Sequence, residues 1–360
     1  MNNRIIVGIS GGVDSSVTAL LLQKKGFDVE CVFMKNWEGN DDEYCTAEED
    51  YKDALAVCDH LGLPLRSVNF SQEYWDKVFQ HFIDEYKKGR TPNPDVLCNR
   101  EVKFKAFLDY ALELGAEKIA TGHYSIIDES NGDFKLLKGL DPGKDQSYFL
   151  YLLGQNALSK SIFPIGDIEK KEVRKLAEES GLVNHAKKDS TGVCFIGEQK
   201  FFKEFLKKYI PSNPGMIETI DGKECGKHDG LMYYTIGQRK GLGIGGGYGK
   251  LEAPWFVAEK DLYRNVLIVA QGHTHPALYH KQLFADQIHW IRGLVPEDLS
   301  GLSAKIRYRQ SDQKCKITEL SQDRCTVVFD KPQFAITPGQ SVVFYRDNEC
   351  LGGAVIDCRK

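Results

Sequence analysis

The sequence predicts an α/β fold: a Rossmann-like parallel sheet, then a small mixed/β domain, then a C-terminal β-barrel. Three observations carry that expectation. Apolar strand-like runs alternate with helical patterns over residues 1–205, the signature of a parallel sheet covered on both faces. At Pro211-Ser212-Asn213-Pro214-Gly215 the texture changes to short strands and Gly/Asp turns. Beyond about residue 276, short strands recur at regular spacing, as in small barrels and sandwiches. The expected domains are residues 1–205, 206–276 and 277–360.

Taken in order, Ile5-Ile6-Val7 reads as a buried strand and residues 17–22 as the start of a helix. Residues 29–34 read as the next strand. Ala47–Leu61 is helical, with Tyr51, Ala54, Leu55, Cys58 and Leu61 at helical spacing and Thr46 as its N-cap. Residues 65–70 form a strand, and 73–87 a helix turning Trp75, Val78, Phe79, Phe82 and Tyr86 inward. Residues 103–114 form a helix stopped by Gly115, and 118–121 a short strand ending at Gly122-His123. Helical patterns continue at 147–153 and 169–180. Later strands are expected at 217–220, 223–226, 304–308, 315–320, 325–329, 341–345 and 352–357.

Gly8-Ile9-Ser10-Gly11-Gly12-Val13-Asp14-Ser15-Ser16 joins the first strand to the first helix. Gly11 and Gly12 let backbone approach an anion closely, and the helix start turns free N–H groups and its positive dipole end toward it. Ser10, Ser15 and Ser16 add hydroxyl donors, and Asp14 can hold a magnesium ion or cap the helix. The loop lacks the lysine of a Walker A sequence. It resembles instead the pyrophosphatase loop of enzymes that split ATP into AMP and pyrophosphate. In open parallel sheets ligands bind at the carboxyl ends of strands. The loop, Met34 and Gly122 all fall at such ends.

Of 360 residues, 42% are hydrophobic and 27% charged, ordinary for a globular protein, and the net charge of −4 excludes a wholly basic nucleic-acid binder but not a local basic face. No apolar run reaches the ~18 residues of a membrane span. Met1-Asn2-Asn3-Arg4 leads straight into the first strand, so a cytoplasmic protein without a leader is expected. The ten cysteines form no Cys-x-x-Cys pair, and most are expected to be reduced and buried. Gly241-Leu242-Gly243-Ile244-Gly245-Gly246 matches a dinucleotide fingerprint, but Gly247, Gly249 and Pro254 leave no room for the helix that fingerprint needs. His273-Thr274-His275 lacks further ligands, so no metal site is expected there or elsewhere.

Two segments hold cysteines in reactive settings. In Arg90-Thr91-Pro92-Asn93-Pro94-Asp95-Val96-Leu97-Cys98, a helix beginning near Val96 puts Cys98 in its first turn, where the dipole favours thiolate. Asp95 either caps that helix or acts as a base. In Lys187-Lys188-Asp189-Ser190-Thr191-Gly192-Val193-Cys194-Phe195-Ile196-Gly197, the loop gives Cys194 access and two lysines favour thiolate. For each, a buried structural cysteine is the competing reading.

The glycine loop, Asn-Pro-Asp-x-x-Cys, Thr-Gly-His-Tyr and Ser-Thr-Gly-x-Cys-Phe-Ile-Gly stand in an order and spacing that closely resembles the bacterial tRNA-specific 2-thiouridylases. Phe33-Met34-Lys35-Asn36-Trp37, Lys144-Asp145-Gln146-Ser147-Tyr148-Phe149-Leu150, Gly237-Gln238-Arg239-Lys240-Gly241-Leu242-Gly243 and Leu351-Gly352-Gly353 extend it over essentially the whole chain. The resemblance implies an adenine nucleotide α-hydrolase-like fold. ATP, with Mg2+, would bind at Gly8, Ile9, Ser10, Gly11, Gly12, Val13, Asp14 and Ser15, with Met34 and Gly122 near the adenosine. The wobble uridine O2 would be adenylated, and Cys194 would carry persulfide sulfur to C2. Cys98 would form a disulfide with Cys194 or release hydrosulfide, and Asp95 would be the general acid/base. Asn93, Pro94 and Asp95 would line the pocket of the flipped base.

Contacts to tRNA are implied for His123, Lys144, Asp145, Gln146, Tyr308, Arg309 and Gln340. Lys305, Arg307, Arg309, Lys314 and Lys316 read as a basic face on the last domain. The expected partners are tRNAs for glutamine, lysine and glutamate and a cysteine desulfurase or sulfur-relay protein, with no membrane. Two other readings keep the loop. One is a different adenylating enzyme, such as a lysidine-forming or glutamine-fed amide ligase, which needs neither cysteine. The other is a tRNA-binding module that releases no pyrophosphate.

Overall fold

The computed structural model describes residues 3–38, 47–130, 132–189, 202–245 and 253–360. Its first sheet is parallel and five-stranded, from β1 (Arg4–Ile9), β2 (Asp28–Lys35), β3 (Leu65–Asn69), β4 (Lys118–Ala120) and β7 (Ser161–Ile162), in the order β3-β2-β1-β4-β7. Successive side chains of a strand point to opposite faces, and β1 uses both. Ile5, Val7 and Ile9 join a core with α1 (Val13–Lys24), α2 (Ala47–Leu61) and the helix Lys170–Glu179. Ile6 joins a second core with the helices Gln80–Lys87 and Phe107–Glu113. A strand buried on both faces reads as a continuous apolar run, as Ile5-Ile6-Val7 does. The strand order turns back at β1, with β2 on one side and β4 on the other. α1 starts at that crevice.

The second sheet has the order β10-β11-β8-β9, from β8 (Gly215–Thr219), β9 (Glu224–His228), β10 (Trp255–Asp261) and β11 (Val266–Gln271). The last unit is a closed antiparallel barrel. β12 (Tyr279–Trp290), β15 (Arg324–Phe334), β14 (Gln313–Leu320), β13 (Ser303–Lys305), β16 (Ser341–Arg346) and β17 (Glu349–Arg359) are neighbours in that order, and β12 pairs with β17 to close the ring. Leu283, Val327, Phe329, Val342, Phe344 and Ile356 fill it.

A hairpin, β5 (Ser125–Ser130) and β6 (Asp133–Lys138), leaves the first unit and adds to the barrel sheet, with Glu349 opposite Leu137 and Cys350 opposite Leu136. Nearby, the short helix Ser147–Leu150 docks on the barrel. Tyr148 OH donates to Ser341 O at 2.9 Å, and Ser341 Oγ donates to Tyr151 OH at 3.2 Å. A Cβ on Gly353 would lie 2.7 Å from the Tyr151 ring, so the last glycine of Leu351-Gly352-Gly353 makes room for this contact.

Local structure departs from expectation in a few places. The strand expected at 304–308 ends at Lys305, and Tyr308 and Arg309 lie in a turn. The helix expected at 73–87 starts at Ser71 and passes through a π-helical turn at Trp75–Phe79; Trp75 is 37% exposed, with one face stacked on Trp37. Thr46, the expected cap of α2, lies outside the described residues, as do Cys45 and part of the Gly241–Gly246 motif. Residues 242–245 of that motif form no helix. His273 stacks on Phe334 at 4.4 Å, and His275 Nδ1 accepts from Ala277 N, so both histidines have packing or turn roles. Seven of the eight described cysteines are buried and Cys358 is exposed. No described helix is long and apolar enough to cross a membrane.

Candidate active site

β1 ends at Ile9, and the chain turns through Gly11 at φ +72°, where a Cβ would lie 2.2 Å from Asp50 O. Only glycine fits there, in conformation and in space. Gly12 is the N-cap of α1, and among the described residues no side chain caps that helix, which suits its first N–H groups to a ligand. Ser15 Oγ lies 3.1 Å from Ser10 N and 3.2 Å from Ser10 Oγ, and both Ser15 and Ser16 donate to Gly12 O. The loop is therefore braced before any ligand arrives.

The strand ends close around it. Met34 Cε would be 3.1 Å from a Cβ on Gly8, and a Cβ on Gly122 would be 2.8 Å from both Asp14 C and Ser15 N. Gly8, Met34 and Gly122 thus meet at the crevice, as the sequence suggests.

Three residues given no role in the sequence reading, Lys170, Tyr124 and Asn184, complete the loop. Lys170, at the start of its helix, places Nζ 2.6 and 2.8 Å from the Asp14 carboxylate and 2.9 Å from Asp189, with its side chain 10% exposed. Tyr124 OH donates to Asp14 at 2.6 Å. Asp14 therefore faces a cation and a phenol and does not cap α1. Asn184 Nδ2 donates to Gly11 O and Ser16 Oγ at 2.9 Å each, while its buried Oδ1 has no partner among the described residues. Asp189 also takes Lys144 at 2.6 Å and Arg174 at 2.7 Å. Burial opposes its ionisation, but the lysine contacts outweigh that and hold its carboxyl down at about 2.

Asn93 caps the short helix Pro94–Leu97, its Oδ1 accepting from Asp95 N at 3.2 Å, with Pro94 in the first helical position. The helix starts two residues earlier than expected, so Cys98 follows its first turn and opens a π-helical stretch, Cys98–Ala106. π-helical segments are rare and often mark functional sites. Cys98 is 3% exposed. Burial pushes the Asp95 carboxyl above the usual carboxylate range, with the Lys103 charge opposing it. Cys194 lies outside the described residues.

The residues expected to contact RNA are placed in three ways. His123 is buried between Phe104 and Phe163, bonded to Thr121 Oγ1 at 2.8 Å, and burial holds its pKa well below the ordinary value. Here it is a neutral packing residue. Asp145 pairs with Lys305 at 3.0 Å (side chains 3% and 9% exposed), and Gln146 Oε1 accepts from Tyr124 N. Lys144 and Gln340 bond within the protein, to Asp189 and Thr91 O. Tyr308 packs on Phe149, and Arg309 alone of the group is exposed. The basic face is correspondingly smaller. Lys305 is internal and Arg307 bonds Ile236 O and Ala335 O, which leaves Arg309, Lys314 and Lys316 outward.

A nucleotide-type loop at the turning point of a parallel sheet, a lysine supplied from a second helix, and a barrel docked against the site define an ATP-using enzyme of the HUP class. Residues 3–198 match the family described as tRNA methyl transferase HUP domain. Residues 203–271 match its PRC-barrel domain, and 280–356 the aminomethyltransferase beta-barrel domain. The tRNA-specific 2-thiouridylase MnmA of Methylococcus capsulatus is 58% identical over 360 residues, covering 99% of this chain and 97% of that one. Its namesake in Francisella tularensis subsp. tularensis is 60% identical over 358 residues, covering 99% of each. Among solved structures, the U34-tRNA thiolase NcsA from Methanococcus maripaludis has 21% identity and a TM-score of 0.36, covering 58% of this chain and 67% of that one. The chain belongs to the tRNA-specific 2-thiouridylase family. It is a tRNA-uridine 2-sulfurtransferase.

Proposed function

We propose that this enzyme thiolates the wobble uridine by adenylating O2 and then displacing AMP with persulfide sulfur. The observation that carries the reading is the single crevice in which Gly8, Met34, Gly122, the uncapped start of α1 and Lys170 meet. The N–H groups of α1, with Ser10 and Ser15, suit the phosphates of ATP, and Lys170 supplies the positive charge that this loop lacks. The glycine floor and Met34 suit the adenosine. Mg2+ would enter with the triphosphate. Asp14 is the carboxylate at hand, and it must exchange Lys170 for the metal. The described residues hold no cluster of three metal-ligating side chains, so the phosphates would supply most of the coordination.

In this reading uridine O2 attacks the α-phosphate, pyrophosphate leaves, and C2 gains AMP as a leaving group. The terminal sulfur of a persulfide on Cys194 then attacks C2. Cys98 thiolate takes the inner sulfur, giving a Cys98–Cys194 disulfide, or frees the sulfur beforehand as hydrosulfide. Asp95, whose carboxyl burial pushes above the usual carboxylate range, is the group proposed to hold and return a proton. The flipped base would lie against Asn93-Pro94-Asp95. Glutamine, lysine and glutamate tRNAs are the proposed substrates, a cysteine desulfurase or relay protein the sulfur source, and the cytoplasm the site of action.

The test is thiolation of unmodified glutamate tRNA with ATP, Mg2+ and a desulfurase, comparing wild type with Cys98→Ala and Cys194→Ala. Sulfur on the wobble uridine with wild type, and none with either variant, is the expected result. Full activity of both variants would remove the cysteine steps. Pyrophosphate release without sulfur incorporation would move the enzyme to another adenylation reaction.

A further inference from the structure

The segment preceding the Asn93–Cys98 loop is held by the other two units of the protein. Gly89 O accepts from Lys260 Nζ of β10 at 2.9 Å. Thr91 N donates to Pro338 O at 2.9 Å, and Thr91 O accepts from Gln340 Nε2 at 2.7 Å, so both backbone groups of Thr91 bond to one barrel turn. The Arg90 guanidinium reaches Asp357 of β17 at 2.9 Å and Glu85 at 2.6 Å. Thr91 is 8% exposed, and its Oγ1 lies 3.4 Å from Thr235 Oγ1. The barrel turn is shaped for the contact. Gly339 has φ +89°, and a Cβ there would stand 2.9 Å from Thr91 N and 3.1 Å from Arg90 Cβ.

The grip falls where the chain is stiffest. Pro92 and Pro94 fix their own φ and restrict the residues before them, so a displacement at Thr91 passes through Asn93 to the helix start at Asp95 instead of being absorbed. Asn93 in turn orients that helix through its cap. We propose that the barrel turn around Gly339 and Gln340 is a positioning clamp for Asp95 and Cys98, so that the last domain sets the rate of the chemical step as well as meeting RNA. This rests on the proposed roles of Asp95 and Cys98. It also gives Gln340 a task that does not involve RNA.

The test pairs Gly339→Ala, which pushes the clamp against Thr91, with Asp357→Asn, which loosens the Arg90 end with little risk to folding. Each is assayed for thiolation kcat and, separately, for equilibrium binding of unmodified glutamate tRNA. The expected result is a kcat lower by about 10- to 100-fold in Gly339→Ala, the scale of misplacing a reacting group by around 1 Å. Asp357→Asn should fall in the same direction by less, with tRNA affinity within about twofold of wild type in both. Unchanged kcat in both variants overturns the clamp, as does a loss of activity fully matched by lost tRNA affinity. Wild type failing to thiolate would instead overturn the proposed function itself.

Discussion

Replacing Lys170 with Met removes a single charge from the centre of the site. The methionine keeps most of the stem volume, and the side chain is 10% exposed, so solvent cannot replace the ammonium. In the free protein Asp14 loses two contacts, at 2.6 and 2.8 Å, but keeps Tyr124 and is itself 31% exposed. A partner lost by a partly covered charged group costs about 1–3 kcal/mol, and the retained phenol puts the expected stability loss at the lower end. Asp189 keeps Lys144 and Arg174, so it adds little. With nucleotide bound, one charge-assisted hydrogen bond to phosphate is gone, worth about 1.5–3 kcal/mol, or roughly 10- to 150-fold in affinity. Initial rates of thiolation against ATP concentration should show KM for ATP raised in that range, with tRNA affinity unchanged. A folded Lys170→Met enzyme whose KM for ATP stays within threefold of wild type would refute the assignment of Lys170 to the phosphates.

Gly122→Ala should act on the same site by shape alone. Its Cβ would meet Asp14 C and Ser15 N at 2.8 Å, so α1 must retreat about 0.6 Å to reach an ordinary contact, at about 1–3 kcal/mol of strain. Thermal melts and ATP titrations should both weaken, and wild-type ATP affinity in this variant would disconnect Gly122 from the nucleotide. Lys260→Met tests a buried charge. Burial pushes the Lys260 pKa down to about 7, whereas the unfolded chain keeps a lysine near ~10.4. Between those values the unfolded state binds the extra proton, so this lysine makes stability rise as pH climbs from about 7. The methionine variant lacks that rise, and its stability relative to wild type should be greatest near pH 6 and shrink by pH 9. Parallel stability curves across that span would mean that Lys260 stays charged when folded.

What the sequence disclosed depended on how local the cause was. The placement of the glycine loop, Met34 and Gly122 was legible because glycine at a strand end has few uses, and the alternating pattern brings those ends together. Strand spacing made a C-terminal β unit legible but left a barrel and a sandwich both open; the β12–β17 pairing is what closes it. Lys170 and Asn184 were not legible, since they reach the loop only through packing of the helix Lys170–Glu179 and of the turn beyond it. Asp145, Lys305 and Arg307 read as surface charges because sequence does not show that Asp145 and Lys305 pair across a domain contact, or that Arg307 finds buried carbonyls. The π-helical stretch at Cys98 left no mark in residue type. The β5–β6 hairpin did leave one, the Asn131-Gly132 pair between two strand-like runs.

That hairpin has a consequence for synthesis. Its partner strand lies more than two hundred residues further along the chain, since Leu136 and Leu137 pair with Cys350 and Glu349. A ribosome adding 5–20 residues per second needs on the order of 10–40 s to make that partner. For that time the first unit carries an open sheet edge, of the kind that invites pairing with another chain. The outer flank of β6 is thus an edge that a nascent copy leaves open to its neighbours on a polysome. A chaperone that shields this protein during translation would have that edge to cover until the last strand arrives.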